Sequence, residues 1–195
     1  STPQGYLEFM DSQLGEFPFA CSRGGAVSAE GFTLCCQENR LEGLCDELKK
    51  LGIDQSPPEV LDVLRIEAGV PMYGQDITED NLPQEVNRNQ QAISFTKGCY
   101  LGQETVARLD ALGHVNKLLV GLRFIVDKVP APGQELGFNM ESGRKVVGRV
   151  TSAAWSARLN RPLALAYVNA KHAQTGTKLA FSEGGAEVVD LPITN

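Results

Sequence analysis

The chain is poor in the residues that metal sites and nucleic-acid surfaces are made from. It has two histidines, His114 and His172, and five cysteines with no Cys-x-x-Cys pair, so no metal-ligand cluster can be read from spacing. The odd cysteine count disfavours a disulfide framework and points to a thiol-reducing, cytoplasmic setting. Basic residues are outnumbered, 18 Lys and Arg against 24 Asp and Glu, giving a net charge of −6. That balance argues against a general nucleic-acid binder, which needs a basic face to displace counterions from phosphates. It leaves room for a local basic pocket that takes a small anion. No apolar run approaches the roughly 20 residues that span a bilayer, and no signal-peptide pattern opens the chain, so no membrane partner is expected. What is present is ordinary for a globular protein: 195 residues, 42% hydrophobic and 22% charged, enough for one large domain or two small ones.

Hydrophobic spacing divides the chain near Gly113–Asn116. Residues 5–36 read as short strands broken by Gly-rich turns. Leu41 to Leu51 reads as a helix with Leu41, Leu44, Cys45, Leu48 and Leu51 on one face, Asn39 as its cap and Gly52 as its stop. A second helix follows, with Ser56 as N-cap, Glu59 completing a capping box, an apolar stripe of Val60, Leu61, Leu64 and Ala68, and Gly69 and Pro71 as its end. Residues 71–96 are polar and turn-rich, and a short helix through Val106 and Leu109 ends at Gly113. From Lys117 the period changes to two, with Leu118, Val120, Leu122, Phe124 and Val126 on one face of a half-buried strand. Strand signals recur at Lys145–Thr151, Leu163–Val168, Thr177–Phe181 and Ala186–Leu191, between turns such as Ser142-Gly143 and Gly184-Gly185. Short strands with tight turns and no long helix predict a closed or nearly closed barrel over 117–195 that folds by itself.

Two residues stand out chemically. Glu67 falls on or beside the buried face of the second helix and in its last turn, where the helix dipole disfavours a negative charge. A carboxylate placed against both rules requires a partner, either an internal Arg or Lys or a ligand with N–H donors. Cys99 has Gly98 beside it, Lys97 two residues away and a helix beginning soon after. Helix N-termini and nearby cations stabilise the reactive thiolate, so Cys99 is either the most reactive of the thiols or a small side chain packed in a tight turn. A Cys–His pair with His114 is not demanded by the spacing. Lys97 and Arg108 are candidate binders of carboxylates or phosphates, or simply solvated cations.

The segment Arg65-Ile66-Glu67-Ala68-Gly69, followed by Tyr73-Gly74-Gln75-Asp76-Ile77, resembles the helix and loop shared by the glycine-cleavage T-protein superfamily of folate-binding proteins. Ser22-Arg23 with Gly25, then Glu30-Gly31-Phe32, is similar to that superfamily's preceding strand-turn-strand. The barrel resembles it through Gly148–Ser152, Leu163–Val168 and the closing Val188 to Pro192. The octapeptide Lys97-Gly98-Cys99-Tyr100-Leu101-Gly102-Gln103-Glu104 is close to the signature of the YgfZ-type branch, implicated in assembly or repair of iron–sulfur enzymes. Aminomethyltransferases typically lack its Lys-Gly-Cys. They also tend to carry Gly-Tyr-Thr-Gly-Glu where this chain has Gly25-Ala26-Val27-Ser28-Ala29, and the loss of that tyrosine and acid speaks against transferase activity. Family members carry well over a hundred residues ahead of the Arg65–Gly69 helix against 64 here, so the expectation is a fragment or shortened member with about half of a folate site.

The resemblance implies an α+β chain. Residues 1–113 would be the remainder of an antiparallel-sheet folate-binding domain with two to three helices, and 117–195 a small antiparallel β-barrel. It implies tetrahydrofolate or a one-carbon derivative as cofactor, with Glu67 accepting from the pterin edge. Lys97, Tyr100 and Arg108 are the further binding candidates, and Cys99 is the candidate for a catalytic role. The expected partners are the folate and iron–sulfur assembly proteins or client enzymes. The expected function is a folate-binding accessory protein for iron–sulfur enzymes. The alternatives are an aminomethyltransferase-like one-carbon transferase and a non-catalytic module that keeps the fold.

Overall fold

The computed structural model describes residues 8–25, 27, 31–140 and 143–194. Ala26 and residues 28–30, on which the strand-turn-strand and tyrosine arguments partly rest, lie outside the described residues, as does Ser142. The first region holds an antiparallel sheet of β1 (Phe9–Leu14), β2 (Phe17–Arg23) and β3 (Phe32–Cys35), ordered β1-β2-β3. Helices α1 (Leu41–Lys50) and α2 (Pro58–Glu67), the single-turn α3 (Asn89–Ala92) and α4 (Gln103–Leu112) follow. The α1 helix approaches β2 closely because position 43 is glycine: a Cβ there would lie 2.3 Å from the Phe17 ring.

Both long helices end as their glycines predict. Past α1, Gly52 N donates to Lys49 O and Ile53 N to Leu48 O; past α2, Gly69 N donates to Ile66 O and Val70 N to Arg65 O. These paired bonds satisfy carbonyls the helix leaves open and require a left-handed residue, here glycine at φ +80° and +70°. The predicted side-chain caps do not form. Asn39 sits inside a 3₁₀ turn, Glu38–Arg40, and Arg40 is the cap of α1; Pro57 replaces Ser56 as the cap of α2. Neither cap makes a side-chain hydrogen bond.

The apolar stripes of these helices are also not their buried faces. Leu44 is buried on α1, whereas Leu41 and Leu51 are exposed. On α2, Val60, Leu61 and Leu64 are exposed, and Arg65, Ile66 and Glu67 are buried. A polar anchor sets this rotation. Arg65 donates from Nη1 to Asp76 Oδ2 at 2.7 Å, from Nη2 to Ser152 Oγ at 2.9 Å and from Nε to Asp62 Oδ1 at 2.7 Å. With Arg65 held there, its neighbour Ile66 is carried onto the barrel wall.

The second region is a closed antiparallel barrel in the order β4-β7-β6-β5-β8-β9. Its strands are β4 (Lys117–Phe124), β5 (Glu135–Met140), β6 (Gly143–Ser156), β7 (Arg161–Asn169), β8 (Lys178–Phe181) and β9 (Gly184–Val189). The β5 strand carried no signal in the sequence reading, and β6 is longer than the segment predicted for it.

Alternation along β4 and β7 supplies two cores. Val120, Leu122, Phe124, Ala164, Ala166 and Val168 fill the barrel interior. Leu119, Leu163 and Leu165 form a second cluster with Ile66, Val86, Leu159 and Ile193. The β4 strand is therefore buried on both faces at its centre rather than half-buried. Each Leu or Ile taken fully out of water here contributes about 1.5–3 kcal/mol.

A bulge in β6, where the register shifts between Val150 and Ser152, lets two consecutive side chains reach one acceptor. Thr151 Oγ1 and Ser152 Oγ both hydrogen-bond Asp76 Oδ1, and Met72 N donates to Asp76 Oδ2 at 2.9 Å. The Asp76 carboxylate is buried and fully engaged. Removing either partner of a buried ion pair strands the other charge, at a cost of about 3–5 kcal/mol. Urea denaturation of Asp76→Ala and Arg65→Ala is expected to show losses of that size. The double variant Arg65→Ala/Asp76→Ala is expected to lose less than the sum of the two, measured as a double-mutant cycle.

Tyr167 offers a second test. Its hydroxyl is buried without a hydrogen-bond partner among the described residues, and Lys117 Nζ lies 4.9 Å from its ring centroid. Burial, reinforced by the charges of Glu85 and Asp76, pushes the phenol up to about 12 from its ordinary value near 10. A raised pKa means that the folded chain holds this proton more tightly. The stability it confers is intact below about pH 10 and is lost as pH rises through about 12. Tyr167→Phe is expected to leave stability at neutral pH unchanged or slightly higher, and to lessen the loss between pH 10 and 12, read by thermal melts across that range.

Candidate functional site

Glu67 is the last residue of α2, and its two carboxylate oxygens are both engaged. Ser156 Oγ donates to Oε1 at 2.5 Å and Arg158 Nε to Oε2 at 2.9 Å. Ser156 ends β6, and Arg158 stands in the turn to β7, whose last residue before the strand, Asn160, adopts φ +51°. The Ser156 hydroxyl is oriented by Leu159 N, which donates to it at 3.0 Å. The carboxylate that opposes its own helix dipole is thus answered from the barrel. Of the two partners the sequence allowed, the internal arginine is present.

The same carboxylate lies in the wall of a cavity of about 710 Å³ between α2, the α3 segment and the chain after β9. Leu64 and Val70 give it apolar surface, and Arg88, Gln91 and Arg158 are its polar wall residues. Its floor is tied together by backbone: Ile193 N donates to Glu67 O at 2.7 Å, and Arg158 Nη2 donates to Ile193 O at 3.0 Å. Arg88 Nη1 donates to Gly69 O at 3.0 Å, which holds α3 against the end of α2. The size is that of an ordinary small-molecule site.

The other candidates do not converge on this cavity. Lys97 and Tyr100 pack together, with the ammonium 4.5 Å from the ring centroid, and line a separate cavity of about 340 Å³ with Pro83, Ser94 and Thr105. Arg108 is exposed on α4. Cys99 is exposed in a shallow depression along the start of α4. The α4 helix begins at Gln103 with Gly102 as its cap, so Cys99 precedes the helix by several residues and does not sit on its first turn. Glycines at 98 and 102 let the chain run on before the helix can nucleate, which displaces the dipole part of the thiolate argument. His114 lines another cavity, with Gln84 and Asp110, whose walls do not include Cys99. Among the described residues, no group of three or more His, Cys, Asp or Glu is placed to hold a metal ion, and no helix is long and apolar enough to cross a membrane.

Ser156, Arg158 and Arg88 went unnoticed in the sequence, and Arg65 and Asp76 were read there only as parts of a motif. The unmatched charge of Glu67 was the available signal that a cation would meet it. Which of 18 Lys and Arg residues answers is decided by the barrel's turn.

Residues 117–193 match the family described as glycine cleavage T-protein C-terminal barrel domain. The chain is similar to an aminomethyltransferase of Streptomyces avermitilis, 32% identical over 96% of this chain and 52% of the relative. It is also similar to an aminomethyltransferase of Symbiobacterium thermophilum, 31% identical over 88% of this chain and 46% of the relative. The chain thus spans about half the length of the curated relatives it matches. A crystal structure of the glycine cleavage system aminomethyltransferase T from Bartonella henselae shares the fold, with a TM-score of 0.79 and 23% identity, over 89% of this chain and 49% of that one.

Thiol access follows the described environments. Cys99 and Cys35 are exposed, Cys36 and Cys45 are intermediate and Cys21 is buried. Alkylation at neutral pH, read by peptide mass spectrometry, is expected to label Cys99 first and Cys21 last. Cys35 labelling ahead of Cys99 would mean that exposure alone governs the rates and that Lys97 and the neighbouring glycines add nothing.

Proposed function

We propose, with the barrel match and the aminomethyltransferase relatives supporting the glycine-cleavage T-protein superfamily for this chain, that it supplies one wall of a tetrahydrofolate site in a one-carbon transferase of the aminomethyltransferase type. The observation that carries this is the Glu67 carboxylate, buried at the unfavourable end of α2 and yet part of the wall of a cavity. The donor chemistry fits a pterin. A ring N–H and an exocyclic amine side by side can be accepted by one carboxylate, while Leu64 and Val70 provide apolar surface for the heterocycle. Arg88 has the charge to attract the folate's carboxylates, a task the sequence reading gave to Lys97. When bound, tetrahydrofolate supplies the nitrogen that carries the one-carbon unit. The residues of this chain orient the pterin, exclude water from its edge and hold a negative charge against its donors.

The relatives favour this transferase reading over the iron–sulfur accessory role, since those at about 30% identity are named aminomethyltransferases. One observation keeps the second reading in play: the Lys97–Glu104 octapeptide presents an exposed Cys99. Two assays of the complete protein separate them. Turnover of a folate-linked aminomethyl group supports the transferase. Its absence, together with restoration of iron–sulfur enzyme activity in deficient cells by wild type but not by Cys99→Ser, supports the accessory role.

Glu67→Gln keeps the shape but removes the charge and turns one acceptor into a donor. Tetrahydrofolate binding is expected to weaken by roughly 2–4 kcal/mol, measured by calorimetry. Unchanged affinity would assign the carboxylate to the fold alone.

A further inference from the structure

The cavity's carboxylate is already taken by a residue of the same chain, and that residue is poorly anchored. Arg158 donates from Nε to Glu67 Oε2 at 2.9 Å and from Nη2 to Ile193 O at 3.0 Å, yet its side chain is 54% exposed, against 9% for Glu67. On the other oxygen, Ser156 is fully buried and held by Leu159 N. One oxygen of Glu67 is therefore fixed by a rigid partner, and the other is covered by a long side chain with open solvent beside it.

From this asymmetry we infer that Arg158 is an internal competitor for the ligand, a latch that closes the free side of Glu67 and must swing into water before donors from a bound molecule can take its place. This rests on the reading of Glu67 as the folate anchor. A ligand can displace Arg158 only by offering an N–H donor to Glu67 Oε2, so the latch selects for a molecule that carries such a donor. A ligand that merely fills the apolar part of the cavity leaves it shut. The displacement is cheap for Arg158, because a guanidinium that is half in water already keeps most of its hydration when it leaves.

The latch also reaches the chain after β9. Ile193 is bonded through its carbonyl to Arg158 and through its amide to Glu67 O, and its side chain belongs to the cluster between α2 and the barrel. Pro192, Ile193 and Thr194 are cavity walls. Opening the latch removes one of the two bonds on Ile193, so ligand entry loosens this segment while the Glu67 backbone bond still holds it. Arg158 is a positioning residue in this scheme: it acts through Glu67 and Ile193.

A latch closed most of the time lowers apparent affinity by the fraction of open molecules. Tetrahydrofolate would be titrated by calorimetry into the complete protein as wild type, Arg158→Ala, Arg158→Lys and Glu67→Gln, at pH 8. Hydrogen exchange would be followed in peptides covering residues 191–194. The expected result is binding tightened roughly three- to tenfold at pH 8 in Arg158→Ala. Arg158→Lys, which keeps the charge but not the two-pronged contact, should lie between. Exchange in 191–194 should speed up on adding ligand to wild type and be fast from the start in Arg158→Ala.

Weaker binding in Arg158→Ala would make Arg158 a direct ligand contact and overturn the latch. So would unchanged binding and unchanged exchange. Wild type and Glu67→Gln binding alike, or neither binding, would instead fail the folate reading of Glu67, and the competitor role with it. In that case the exchange series still reports whether Arg158 ties down residues 191–194.

Discussion

The buried pair of Arg65 and Asp76 holds the two regions in register. It joins α2, the loop after it and the bulge of β6 through five hydrogen bonds: Arg65 to Asp76 and to Ser152, the Thr151 and Ser152 hydroxyls to Asp76, and Met72 N to Asp76. A charge pair of this kind is a weak source of net stability, because desolvation offsets most of its attraction. Its value is geometric. It fixes the rotation of α2, so that Ile66 meets the barrel and Glu67, two residues beyond Arg65, faces Ser156 and Arg158.

The barrel contributes to the site without enclosing it. Its interior is filled by buried side chains of its own strands, between Val120 and Val188. Its outer wall is what matters: Leu163 and Leu165 on β7 and Leu119 on β4 receive Ile66, and the β6–β7 turn delivers Ser156 and Arg158. A fully alternating strand buried on both faces can serve two cores at once, so a change on the outer face of β7 alters the cavity without disturbing the interior.

The Glu67 cavity and the Cys99 region are separate features. Each follows from a local departure from what helix or turn chemistry prefers, a carboxylate at a negative helix end in one case and a thiol in a glycine-flanked run in the other. Such departures mark functional positions because only a partner supplied from elsewhere makes them tolerable. For Glu67 the partner in the structure is Arg158, and the proposed ligand is its rival. Cys99 has no such tertiary partner among the described residues and is exposed.

The amino-acid sequence by itself determined the change from period 3.6 to period 2 near Gly113–Asn116, the helix stops at Gly52 and Gly69, the alternation that builds the barrel, and the anomaly of Glu67. These are local properties: backbone freedom at glycine, side-chain spacing, and the sign of a charge at a helix end. The tertiary structure alone decided which face of α2 is buried, because a pairing between Arg65 and residues 76 and 152 overrides the apolar stripe. It decided that Asn39 and Ser56 cap nothing, since the entering chain takes other conformations. It placed β5 over Glu135–Met140, a short run that carried no assignment in the sequence, and it set the start of α4 beyond Cys99. It also chose Arg158 from all the cations as the partner of Glu67. That choice depends on a turn 91 residues away in the chain, and no spacing rule reaches across such a distance.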